Sequence, residues 1–291
     1  LHKSKAHVRK VIGAKITQGR GAGGDPYTGK RCAEDGEESI RSKLNDGDII
    51  FVIAGMGGGT GTGSAPVIAK YAKETDAVVV GVAILPFKEE GLPRRKVALE
   101  GLAELKKNCD CVIELDNEKL NELTGGDYPI QKAFSVMSDL VSGIVQSLSE
   151  VVTEPSMINV DFADLKKIIE AGGTAKVLYG ESDGSDPGSV LDSVLGNPLL
   201  GNNYKGAEAV LLHIAAGSEF AMSDCHEVLS ALKYDLAEDA NLIWGLRTDD
   251  SMSTKVKVVM LVSAIPESEH DLSTEAEDEL NSLGSSLPMI N

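Results

Sequence analysis

The stretch Gly55-Met56-Gly57-Gly58-Gly59-Thr60-Gly61-Thr62-Gly63 carries six glycines in nine positions and follows directly on the apolar run Ile49-Ile50-Phe51-Val52-Ile53-Ala54. Each glycine in regular structure costs roughly 1 kcal/mol against alanine, so a cluster this dense needs a reason in backbone angle or close ligand approach. A buried strand that empties into glycines, followed by helix-compatible residues at 65–73, is the layout of a phosphate-binding turn. Amides with no side chain in the way converge on an anion, and the helix N-terminus adds partial positive charge. A plain linker is not usually framed in this way.

No lysine follows the glycines, so the pattern GxxxxGK[ST] is absent. No register gives a strict GxGxxG either, because Thr60, Thr62, Ser64 or Pro66 stands where the third glycine belongs. A Rossmann dinucleotide site is thereby disfavoured. What remains is GGGTGTG, with the hydroxyls of Thr60 and Thr62 beside the amides.

The 291 residues leave room for one large or two ordinary domains with ample core. No uninterrupted apolar run reaches transmembrane length, so direct membrane insertion is not expected. The first residues, Leu1-His2-Lys3-Ser4-Lys5, do not form a secretory signal. Cys32, Cys109, Cys111 and Cys225 make no CxxC pair or zinc spacing and read as packed thiols of a reducing cytoplasm. A net charge of −17 argues against general nucleic-acid binding, suits solubility, and is compatible with a saline cytoplasm.

Along the chain, helical and strand patterns alternate. A helix is expected at 34–44, a strand at 49–54, a helix after the glycine loop, and a strand buried on both faces at 77–85. An amphipathic helix at 93–108, with Val97, Leu102 and Leu105 along one side, precedes a strand at 111–115. Such alternation argues for a parallel sheet covered on both faces. Sheets of this kind normally open with a strand and its own glycine turn, and none precedes Val11-Ile12-Gly13, so we read the chain as truncated at its N-terminus. One long helix at 130–152 follows, with apolar residues over a wide arc, as expected of a helix buried between two domains.

After Pro155 a second unit is expected, with helices at 161–171, 189–195 and 223–236 and strands near 175–179, 209–215, 241–246 and 255–263. From Pro266 acidic residues occur with no lysine or arginine, which reads as a disordered tail ending in the apolar tip Leu287-Pro288-Met289-Ile290. The fold class is therefore α/β: a parallel-sheet domain joined by a long central helix to a smaller unit of interleaved helices and strands, whose α+β class is what the family resemblance given below implies. The boundaries are 1–127 for the nucleotide-binding domain, 128–173 for the central helix with the loop and helix after it, 174–265 for the α+β domain, and 266–291 for the tail.

A second chemical constellation is Asn159-Val160-Asp161-Phe162-Ala163-Asp164. Carboxylates at i and i+3 at a helix start share a face. On spacing alone an N-cap and capping box is the favoured reading, ahead of a pair placed for chemistry.

GGGTGTG and NxDFAD together resemble the tubulin/FtsZ family of GTP-dependent filament proteins, from about Ile12 to Ile265. The resemblance implies a GTPase of a bacterial or archaeal cytoplasm, at the division site, that polymerises head to tail with further copies of itself. It implies that Asn159, Asp161 and Asp164 enter the nucleotide pocket of the next subunit, the two acids orienting and polarising the attacking water and Asn159 contacting phosphate. It makes Gly57, Gly58, Gly59, Thr60, Gly61, Thr62 and Gly63 the main phosphate loop, and Gly21, Ala22 and Gly23 the loop that senses the γ-phosphate. Glu90 and Arg94 would hold ribose and phosphates, although an i, i+4 surface pair explains them as well. Asn117 would contact guanine, Phe134 would stack on the base, and Asp139 would accept from the guanine N1 and N2 donors. The family usually has asparagine just before that aspartate, whereas this chain has Ser138, which puts one base contact in doubt.

The ligands so implied are GTP or GDP with Mg²⁺ carried on the triphosphate, and no protein metal ligands are assigned. Implied partners are the chain itself and membrane-tethering division proteins bound at the tail. The alternative is a non-hydrolysing, nucleotide-dependent regulator of other filaments, against which Asp161 and Asp164 count.

Overall fold

The computed structural model describes residues 4–44, 47–124, 129–171, 175–182, 186–197, 199–200 and 204–265. The tail at 266–291 and its apolar tip lie outside the described residues.

Three short helices come first: α1 (Ala14–Thr17), α2 (Pro26–Asp35) and α3 (Glu37–Arg41). The continuous helix expected at 34–44 is instead broken at Gly36, and α2 begins eight residues earlier than that expectation. The local cause is Asp25-Pro26. Proline fits the first helical turn, and the Asp25 carboxylate accepts the Tyr27 and Thr28 amides at 3.1 and 3.0 Å.

Strands β1 (Ile49–Gly55), β2 (Val78–Leu85) and β3 (Cys111–Asp116) form a parallel sheet in that order, with Val52 opposite Gly81 and Val82 opposite Ile113. Between them run α4 (Gly59–Lys73) and α5 (Leu92–Lys106). Alternate side chains of each strand leave on opposite faces. Val79, Ala83 and Leu85 pack under Ala65, Ala69, Leu99, Leu102 and Leu105 of the two helices. Val78, Val80 and Val82 face the other way, into a core shared with the second domain. Of the face expected on α5, Leu102 and Leu105 are buried, while Val97 looks into a groove beside α4.

After α6 (Asn117–Thr124) comes the central helix α7 (Ile130–Thr153), about 36 Å long at 1.5 Å per residue. Its Met137, Val141, Ile144, Leu148 and Val151 are buried between the first sheet and the second. After the loop, α8 (Phe162–Glu170) packs its Leu165 and Ile168 with Leu211, Val259 and Leu261 of the second domain, which holds β4 (Lys176–Ser182), α9 (Pro187–Leu195), β5 (Ala209–Ala216), α10 (Met222–Asp235), β6 (Asn241–Thr248) and β7 (Val256–Ser263). Its sheet runs β4-β7-β5-β6 and is mixed, with β5 and β6 parallel and the other pairs antiparallel. Among the described residues no helix is long and apolar enough to cross a membrane.

Candidate functional site

β1 ends at Gly55, and the chain turns through Met56, Gly57 and Gly58 into α4. The helix starts at Gly59, not at residue 65, so the TGTG half of the run lies inside its first two turns. Packing explains why glycines tolerate a helix here. A Cβ on Gly63 would stand 2.0 Å from the Pro26 carbonyl, and one on Gly59 would stand 2.8 Å from the Ala22 Cβ and from the Asp25 amide. Gly57 is different, since its φ of +87° lies in the region that side-chain-bearing residues avoid. Gly58 is extended and faces open space, with no atom within 4 Å of where a Cβ would stand. The start of α4 has no side-chain cap and no acid in its first turn, so its amides and dipole are available to an anion.

The two threonines divide their roles. Thr60 is exposed at the loop, whereas Thr62 is buried and its Oγ1 accepts the Gly57 amide at 2.9 Å, bracing the turn from within. The second glycine loop arrives beside the first. Gly23 and Gly24 take φ of +64° and +83°, and the Asp25 amide closes on the Ala22 carbonyl at 3.1 Å. Ala22 thus lies against Gly59. Arg94 reaches the same turn, for a Cβ on Gly57 would stand 2.8 Å from the Arg94 Cγ. Its guanidinium pairs with Glu90 at 3.0 Å, and Glu90 also accepts the Phe87 amide at 3.0 Å. A cavity of about 570 Å³ opens behind this loop, between α2, α4 and α5. Its lining includes Thr62 and Gly63 but none of Gly57, Gly58 or Gly59, so it is not the mouth of the glycine turn.

At the end of β3, Asn117 is buried, and its Oδ1 has no donor among the described residues. An orphaned acceptor in a buried amide fits a site that takes a hydrogen-bonding base. Phe134 is 50% exposed and meets Phe87 edge to face at 5.8 Å. Asp139 is exposed and accepts from the Ser135 hydroxyl at 3.3 Å. The Ser138 hydroxyl donates to the Phe134 carbonyl at 2.7 Å, turned back onto its own helix.

Sequence reasoning missed Arg95. It is buried, it reaches the Pro86 carbonyl at 3.3 Å, and it holds both Asp116 oxygens at 3.0 and 2.6 Å. That pair ties the turn carrying Glu90 and Arg94 to the strand end carrying Asn117. The only local signal was the doublet Arg94-Arg95, which does not say which arginine is buried.

Asn159, Asp161 and Asp164 lie at the far end of α7. Asp161 caps α8, accepting the Asp164 amide at 2.8 Å, and Asp164 answers the Asp161 amide at 3.5 Å. The capping box is therefore formed, and Lys167 approaches Asp164 at 3.3 Å. Asn159 accepts the Ser156 amide at 2.9 Å. Phe134 and Thr153 stand nineteen positions apart on α7, about 28 Å along the axis. Phe134 thus sits near one end of the central helix and the two acids beyond the other.

A parallel sheet with an uncapped glycine turn, a second glycine loop beside it and an orphaned amide at a strand end defines a nucleotide-binding α/β domain. Here that domain is joined by a through-running helix to a mixed-sheet domain. The family model for the tubulin/FtsZ GTPase domain matches residues 1–125, and that for the FtsZ C-terminal domain matches residues 173–266. The chain belongs to the tubulin/FtsZ family of GTPases, with the domain order of FtsZ.

It is 40% identical to cell division protein FtsZ 2 of Methanocaldococcus jannaschii over 265 residues, which cover 90% of this chain and 69% of that protein. It is 41% identical to FtsZ 2 of Haloferax volcanii over 262 residues, covering 90% and 65%. The chain thus spans about two thirds of the length of these relatives. The solved empty FtsZ dimer of M. jannaschii superposes with a TM-score of 0.80 at 37% identity, over 88% of this chain and 74% of that one. The GDP-bound CetZ1 monomer of Haloferax volcanii, at 21% identity, shares the fold with a TM-score of 0.76 over 94% and 82%.

Proposed function

We propose that this chain is the subunit of a head-to-tail polymer that hydrolyses GTP at the contact between copies, in the division machinery of a prokaryotic cytoplasm. The observation that carries it is the opposition along α7. Phe134, on its first turns, marks the base end of the site, and Asp161 and Asp164 follow its last turn, so one copy's acids are about 28 Å or more from its own base site. Stacked end to end, each copy offers its acids to the next copy's phosphates. Such heterologous contacts build open filaments.

Within that contact the amides of Gly58 and Gly59 hold the phosphates, Gly57 makes the turn that presents them with its own amide kept by Thr62, Arg94 adds positive charge, and Gly21, Ala22 and Gly23 lie where the γ-phosphate is felt. Thr60 offers its hydroxyl at the rim. Gly61, Thr62 and Gly63 shape the turn from behind. Asn117, Phe134 and Asp139 receive the base. Asp161 and Asp164 of the adjacent copy orient the water, and their mutual capping holds both carboxylates in one geometry. Phosphoryl transfer asks for positioning and charge more than for covalent chemistry. Mg²⁺ suits this site as an ion carried on triphosphate oxygens and water, the loop itself presenting N–H donors. Residues 266–291 are the segment through which membrane-tethering partners would recruit the polymer to the division site.

The test is Asp164→Ala in the natural chain. It should bind GTP and assemble with turnover at least tenfold lower, while wild-type turnover per subunit rises with concentration through the assembly range. Wild-type turnover in the variant, or a flat response to dilution, would remove the shared site.

A further inference from the structure

The loop that carries the acids is anchored on a cluster in the second domain that the hydrolytic scheme does not use. Arg247 of β6 reaches Glu150 of α7 at 2.8 Å and Asp249 at 3.2 Å, and its side chain is 14% exposed. Glu150 takes its other hydrogen bond from Gln146 at 2.6 Å, so both its oxygens are engaged. The chain leaves α7 at Thr153 and returns to the same strand, where Ile158 and Leu246 exchange backbone hydrogen bonds of 3.2 and 3.1 Å. Entry and exit of the loop are thus fixed on two consecutive residues of β6, Arg247 and Leu246.

Between the anchors the contact is close. A Cβ on Gly245 would stand 2.8 Å from the Val160 side chain, 2.9 Å from the His213 ring and 3.1 Å from the Ile158 carbonyl. His213, opposite Gly245 on β5, is buried with its Nε2 3.5 Å from the Ser156 hydroxyl. Ser156 in turn donates its amide to Asn159. The fixed points at Ser156, Ile158 and Val160 lie within a few residues of Asp161, and the anchor at Glu150 holds the helix end from which the loop departs.

We propose that Arg247 is a positioning residue for hydrolysis: by pinning Glu150 beside the Ile158–Leu246 bridge, it holds the loop so that Asp161 and Asp164 are presented at a set height above the neighbouring copy's phosphates. The second domain then acts as the template for the acids. This rests on the reading of Asp161 and Asp164 given above. Misplacing a catalytic group by 1 Å costs on the order of a hundredfold in rate, so a loosened anchor is felt in turnover before it is felt in nucleotide binding. Lysine's ammonium is a point charge without the rigid planar fork by which two separate guanidinium nitrogens of Arg247 reach Asp249 and Glu150.

Three variants of the natural chain test this: Arg247→Met, Arg247→Lys and Glu150→Leu, the last leaving Arg247 paired with Asp249. Turnover per assembled subunit, GTP affinity and hydrogen exchange of the 156–161 amides are measured on each. Expected are turnover at least tenfold lower in Arg247→Met, partial recovery in Arg247→Lys, GTP affinity within twofold of wild type, and loop exchange at least tenfold faster.

Wild-type turnover in a folded variant overturns the proposal, and so does lowered turnover with unchanged loop exchange. If Arg247→Met fails to fold, Glu150→Leu carries the same two readings. Asp164→Ala separates the hypotheses. Should it retain full turnover, the reading of the acids falls. Should it lose turnover while Arg247→Met keeps it, only the positioning role falls.

Discussion

Arg95 grips both oxygens of Asp116, at 3.0 and 2.6 Å, across 21 residues of sequence, and both side chains are largely shielded from water. The pair fixes Asn117, the next residue, at the end of β3. Removing one partner of a shielded pair strands the other charge, at a cost of about 3–5 kcal/mol. Arg95→Met is therefore expected to lower the denaturation midpoint clearly. Guanine nucleotide affinity should fall at least tenfold even under conditions where the protein remains folded, as read by calorimetry. Affinity unchanged in the folded variant would show that Asn117 keeps its place without this clamp.

Gly58 and Gly63 separate two reasons for being glycine. A Cβ on Gly63 would strike the Pro26 carbonyl at 2.0 Å, whereas a Cβ on Gly58 meets nothing within 4 Å. Gly63→Ala is expected to destabilise the α2–α4 contact by about 1–3 kcal/mol, as overpacking does. Gly58→Ala should melt like wild type and, if the proposed site is right, bind GTP at least tenfold more weakly, because its methyl would occupy the open space the proposal gives to the phosphates. Wild-type affinity in Gly58→Ala would move the phosphates elsewhere.

Ser138 keeps its hydroxyl on the Phe134 carbonyl at 2.7 Å and so offers the base little. An asparagine there would carry an amide donor and acceptor beyond that backbone bond, free for the base that the proposal places beside Phe134. Ser138→Asn is expected to raise the preference for GTP over ATP severalfold in competition binding, leaving stability within about 0.5 kcal/mol, as exposed substitutions usually do. An unchanged ratio would place base selection with Asn117 and Asp139 alone.

The elements that sequence made legible are those governed by short-range pattern. The apolar runs of β1, β2 and β3 and the wide apolar arc of α7 report burial directly, and each forms within a residue or two of expectation. Asp161 and Asp164 read as a capping box from spacing alone, and they form one. What stayed hidden depends on distant partners. Nothing near Thr62 says that its hydroxyl turns inward to Gly57, and nothing near Arg95 names Asp116. The helical start at Gly59 was obscured for a similar reason. Glycine is a poor helix former, and only the approach of Pro26 and Ala22 from another element makes it necessary there. The break at Gly36 was legible in principle, from Asp25-Pro26 ahead of it and the glycine itself.

His213 provides a pH test of the junction beneath the acid-bearing loop. Burial, and then the Arg247 charge, hold its pKa down to about 4 from an ordinary 6.5, with Glu150 opposing them. The folded state therefore releases the proton more readily than the unfolded chain. Between pH 6.5 and about 4 the unfolded chain binds more protons, so stability falls as pH is lowered through that window. The contribution of neutral His213 is fully present above pH 6.5 and spent by about pH 4. Replacing it with an uncharged residue of similar bulk, His213→Gln, removes a group that must charge on unfolding. Denaturant midpoints measured from pH 7.5 to 4.5 should fall less steeply in His213→Gln than in wild type. Parallel slopes would mean that His213 titrates normally and that the cluster with Arg247, Glu150 and Ser156 admits water.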